Sequence, residues 1–113
     1  MNAALIDLPD LSERFALTDD TETIEVLAVF FTSLDNLLAG LRAALVKQDA
    51  SEVLHIAHSA KGAAQNASAR QLAALFDVLE ELAPAGQWTQ IKETMTTITE
   101  TVAAMHRLAD GLG

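Results

Sequence analysis

Ile24, Leu27, Phe31, Leu34, Leu38, Leu41 and Leu45 follow one another at alternating spacings of three and four residues, which places them on one face of a helix running to about Lys47. Val26, Phe30 and Leu37 widen that face beyond the narrow seam of a coiled coil. Gly40 lies inside the pattern and should weaken the helix slightly. The same period returns towards the C-terminus in Trp88, Ile91, Met95, Ile98, Val102, Met105 and Leu108. Between these stretches, Val53, Ile56, Ala57, Ala60, Ala63, Ala64 and Ala67 predict a helix over about 50–67. Leu72, Leu75, Phe76, Leu79 and Leu82 predict the next, ended by Pro84 and Gly86. A short helix from Leu8 to Ala16, with Pro9 in its first turn, precedes them all. No alternation of period two competes with these patterns.

The boundaries carry their own signals. Thr18, Asp19, Asp20 and Thr21 are N-cap residues placed ahead of the long stripe. Asp49 stands three residues before Glu52, and Ser68 three before Gln71, as in capping boxes. The fold class is therefore all-α: an antiparallel up-down-up-down four-helix bundle with a short extra N-terminal helix, forming one domain over 1–113. The alanine-rich face of the third helix implies close approach of its neighbours.

Composition narrows the function classes. Of 113 residues, 50% are hydrophobic and 20% charged, which suits a packed core. There is no cysteine, so a thiolate nucleophile, a thiolate metal site and a disulfide framework are all excluded. No run approaches the roughly 18 consecutive apolar residues of a membrane span, and the N-terminus lacks the pattern of a secretory signal, so a cytoplasmic protein is expected. A net charge of −9 with seven scattered basic residues argues against nucleic acid, and a single Trp with no Tyr argues against base stacking. No phosphate-cradling glycine loop occurs, so neither nucleotide chemistry nor a bound cofactor is expected. Met1 and the compact length suggest a free-standing protein.

The chemistry falls on the third helix. At about 100° per residue, His58, Lys61, Gly62 and Gln65 lie opposite the alanine face, flanked by Leu54 and His55. A neutral imidazole can take up and return a phosphoryl group near neutral pH. Lys61, one turn on, can share an anion with it. Gly62 costs a helix interior about 1 kcal/mol relative to alanine; on an outer face, that cost is explained by close docking of a partner. The Gln65 amide can hydrogen-bond an anion. Set against this is the bland reading of a solvated surface histidine. A metal shared by His55 and His58 lacks a third ligand, and Lys61 would repel the cation. Asp19 and Asp20 read as caps and not as a calcium loop. Met95 and Met105 read as core. His106, beside Arg107 and Asp110, reads as a helix-end charge partner.

Ala57-His58-Ser59-Ala60-Lys61-Gly62-Ala63-Ala64 resembles the phosphohistidine motif of histidine-containing phosphotransfer (HPt) domains, His-x-x-Lys-Gly on the second long helix of a four-helix bundle. The resemblance extends through Ser68-Ala69, Leu72 and Leu79-Glu80, with Ser68-Ala69 standing for the family's glycine-alanine pair and Ala60 for its usual leucine. It implies that His58 is the phosphoacceptor, Lys61 the charge-stabilising lysine and Gly62 the clearance glycine. It also implies Glu80 as the group orienting the second ring nitrogen. The implied role is that of a phosphocarrier without kinase activity of its own; a monomer is expected. Its partners would be response-regulator receiver domains, a hybrid histidine kinase, or both, with nucleotide and metal belonging to them. Two other readings compete: a degenerate HPt adaptor that binds receivers or kinases without carrying phosphate, and a homodimeric structural bundle.

Overall fold

A computed structural model of the chain describes residues 5–112. Its elements run α1 (Leu8–Phe15), α2 (Asp20–Lys47), α3 (Ala50–Asn66), α4 (Arg70–Leu82) and α5 (Trp88–Asp110), with no strand among the described residues. Three of the starts carry an aspartate cap, two of them, Asp19 and Asp49, at positions the sequence predicts. Asp7 accepts from the backbone N–H of Asp10, Asp19 from that of Glu22, and Asp49 from that of Glu52. Glu22 also reaches back to the Thr18 backbone N–H at 2.8 Å, completing a reciprocal cap.

The links are too short for anything but antiparallel neighbours. Gln48 and Asp49 join α2 to α3, residues 67–69 join α3 to α4, and residues 83–87 join α4 to α5. Gly86 turns the last of these at φ 64°, a left-handed conformation open to glycine. The long helices pack in the cyclic order α2, α3, α4, α5, the up-down-up-down arrangement expected.

Leu27, Leu34 and Leu41 of α2, Val53 of α3, Leu72, Phe76 and Leu79 of α4, and Ile91, Ile98 and Met105 of α5 are fully buried in one core cluster. Full burial of such a side chain contributes roughly 1.5–3 kcal/mol. Ala57, Ala60 and Ala64 are equally buried, so over this stretch α3 meets its neighbours through methyl groups. Small side chains there bring α3 close to α4, and the outer edges of the two helices come within side-chain reach. The length and apolar composition of α2 match those of a membrane-crossing helix. Its apolar face is nonetheless the one that fills this core.

Three sequence expectations are corrected. Ser68 does not cap α4: Ala69 occupies that position, and Ser68 has φ 58°. Its backbone N–H bonds the Gln65 carbonyl, and that of Ala69 bonds the Ala64 carbonyl, so Ser68 is the left-handed residue that closes α3. Its buried hydroxyl donates to Asp10 Oδ2 at 2.6 Å, and its carbonyl accepts from the Asp7 backbone N–H. Together with Arg14, that bond holds the Asp10 carboxyl below its usual range and fastens α1 onto the α3–α4 turn. Ile24, the first member of the α2 stripe, is 36% exposed, because the buried face of α2 starts at Thr23 and continues four residues on at Leu27, leaving Ile24 at its edge. His106 stacks on Phe31 with ring centroids 3.9 Å apart, which makes it a packing residue and not a charge partner.

Candidate functional site

The inward turn of the alanine face directs His58, Lys61, Gly62 and Gln65 away from the core. The His58 side chain is 73% exposed. Its Nδ1 faces Glu80 Oε2 on α4 at 3.3 Å, a long hydrogen bond to a carboxylate that is itself only 18% exposed. A carboxylate accepts, so the contact favours the tautomer with its proton on Nδ1 and leaves the lone pair on Nε2. Nε2 is then the nitrogen available to a reactant from solvent.

Lys61 lies one turn further along α3 and is 23% exposed. Its Nζ stands 2.8 Å from Glu80 Oε1 and donates to Asp77 Oδ1 at 3.2 Å. The contact with Glu80 is an ion pair off the hydrogen-bonding direction, which leaves Oε1 buried without an aligned donor. Glu80, followed by Asp77, pushes the Lys61 ammonium above its ordinary value. Lys61, followed by His58, holds the Glu80 carboxyl below its own. The four side chains interlock because α3 and α4 run antiparallel: three residues forward from His58 to Lys61 match three residues back from Glu80 to Asp77.

Gly62 opens onto empty space: a Cβ built there meets nothing within 4 Å. Beyond it, Phe15, Val26, Val29, Phe30, Ala63 and Ala67 line an apolar hollow of about 320 Å³ between α1, α2 and α3. Leu54 and His55 line a second hollow, of about 440 Å³, together with Ser51, His58 and Glu80. Gln65 lines a third, of about 330 Å³, with Lys61, Arg70 and Asp77. The expected residues thus gather on one face, with Glu80 in direct contact with both His58 and Lys61, and Gln65, Leu54 and His55 at the rim. Asp77 was missed by sequence reasoning. Its signal was available in its position one turn before Glu80 on the same face of α4. Among the described residues, no group of three or more ligating side chains is placed to hold a metal ion.

Residues 25–111 match the Hpt domain family. The chain belongs to that family. It is also similar in structure to the solved histidine-containing phosphotransfer protein B (HptB) from Pseudomonas aeruginosa PAO1, at 27% sequence identity and a TM-score of 0.85, over 97% of this chain and 95% of that one. No curated protein matched the sequence. Membership places the chain among the histidine phosphotransfer modules of two-component phosphorelays, which are helical bundles that carry phosphoryl groups and are not kinases.

Proposed function

We propose that this Hpt chain, acting as one domain over 1–113, relays a phosphoryl group through His58 between a histidine kinase and receiver domains in a cytoplasmic phosphorelay. The observation that carries the reading is the contact between His58 Nδ1 and Glu80, with Lys61 on the same carboxylate. The Nε2 lone pair attacks the phosphorus of a receiver's aspartyl phosphate in line. The Nε2–P bond forms as the P–O bond breaks, and the aspartyl carboxylate leaves with the electron pair. Attack places a positive charge on the imidazole, which Glu80 offsets through the Nδ1 proton. Lys61 offsets the charge on the phosphoryl oxygens. Nucleotide and metal ion are supplied by the partners, and this chain contributes no kinase activity.

Docking is supported by the open face at Gly62 and by the apolar hollow beside it, where Val29 and Phe15 stand exposed. A receiver presenting an apolar helix face would cover both while bringing its aspartate to His58. The test is incubation with a phosphorylated receiver domain or an autophosphorylating histidine kinase, followed by detection of acid-labile label. Wild type should be labelled and His58→Gln should not. Binding to such partners without label on wild type would reduce the chain to an adaptor. Label retained by His58→Gln would move the phosphoacceptor, with His55 next to be tested.

A further inference from the structure

Lys61 is already engaged before any anion arrives. Its two carboxylate partners differ in how firmly they are held. Glu80 is largely enclosed, with one oxygen against Lys61 and the other facing His58. Asp77 is 54% exposed, and its bond to Lys61 is the one hydrogen bond its side chain makes among the described residues. Glu80 therefore stays in place through two contacts, whereas Asp77 can release Lys61 by a turn of its own side chain. Beside the pair lies the hollow bordered by Gln65 and Arg70, which gives the lysine room to move. Arg70 is itself occupied by Asp7 at 3.0 Å and does not replace Lys61 on Asp77.

A phosphoryl group on His58 Nε2 brings a dianion within one helical turn of this ammonium. The group and Asp77 then compete for the same cation, and the two anions also repel each other. We propose that Asp77 is a restraining counter-ion for Lys61, and that this competition sets how readily His58 accepts a phosphoryl group. The inference rests on the phosphocarrier reading and gives it a tuning residue on the neighbouring helix. Asp77 acts through Lys61 and is a positioning residue. By holding the lysine back it keeps the phosphohistidine from becoming too stable to pass its group on. A carrier that must both accept and donate needs that balance.

Phosphoramidate is a suitable probe, because it needs no docking surface. The His58 Nε2 lone pair attacks phosphorus, the Nε2–P bond forms, and the P–N bond of the protonated donor amine breaks with ammonia leaving. Labelling is followed by ³¹P NMR for wild type, Asp77→Asn, Lys61→Met and the double variant, with His58→Gln as control. Freeing Lys61 from a weak exposed pair and removing a like charge should make Asp77→Asn label about threefold to tenfold faster than wild type. Lys61→Met should label more slowly. In the Lys61→Met background, Asp77→Asn should give well under half of its effect, because the lysine through which it acts is gone. If wild type takes no label, or His58→Gln keeps it, the phosphocarrier reading itself fails. If wild type labels at His58 but Asp77→Asn labels no faster, the restraint is refuted. An equal acceleration with and without Lys61 refutes it too, since Asp77 would then act only as a distant charge.

Discussion

Gly62→Ala should make the protein more stable. The position lies within α3, four residues before its last residue Asn66, and its φ is not in the positive range. A methyl group there meets no atom within 4 Å, so no steric cost opposes the change. What remains is the helix propensity difference, about 0.8–1 kcal/mol in favour of alanine. For a chain of this size that corresponds to a rise in Tm of roughly 2–6 °C. Urea unfolding should show a higher midpoint at an unchanged slope. Gly40→Ala is the internal control: its Cβ would stand 3.1 Å from Ile56 Cδ1, so the same propensity gain is offset by displacement of a packed side chain. Gly62→Gln should also fold well, yet fill the space a receiver must enter. Loss of about 1.4 kcal/mol of docking energy slows receiver transfer on the order of tenfold, while labelling by phosphoramidate stays near the wild-type rate. A Gly62→Ala protein melting at or below wild type would refute the open-space argument. Wild-type receiver transfer by Gly62→Gln would refute clearance.

Other perturbations probe the core, the turn and the ion cluster. Leu34→Ala removes a fully buried side chain and should cost about 2–5 kcal/mol in chemical denaturation. Ser68→Ala keeps the left-handed backbone but deletes the bond to Asp10, at a cost of about 1–2 kcal/mol by the same assay. Ser68→Gly should lie closer to wild type, because relief at φ 58° offsets the lost bond. The Glu80 carboxyl, held low by Lys61 and then His58, stabilises the fold above its ordinary value of 4.5 and loses that contribution as pH falls through its lower folded value. Thermal melts below about pH 4.5 should therefore fall more steeply for wild type than for Glu80→Gln, and parallel curves would contradict the pairing.

Most of the architecture was legible because it rests on local rules. Spacings of three and four located the helices, and Asp19 and Asp49 located two starts by the backbone bonds such residues make. The outward direction of His58 followed from the buried alanines on the other side of the same helix. What escaped were contacts between distant residues. Ser68 has the residue type of a cap, but its hydroxyl bonds Asp10 on α1, and nothing near it in the chain reveals that partner. His106 has charged neighbours in sequence, yet its surroundings are set by Phe31 on α2. Asp77 becomes meaningful only once the register of α4 against α3 is known, although Glu80 on the same face already pointed there.

That register also bears on the order in which the molecule assembles. His58, Lys61, Asp77 and Glu80 all lie between residues 58 and 80, on two helices joined across residues 67–69. Bringing them together closes only a short loop, a small entropic barrier next to that of joining α2 with α5 across the chain. The ion cluster can therefore form as the α3–α4 hairpin zips up, ahead of the completed bundle. The chemistry is thus lodged in a unit that is local in sequence, while the rest of the chain lends it permanence and a surface for partners to grip.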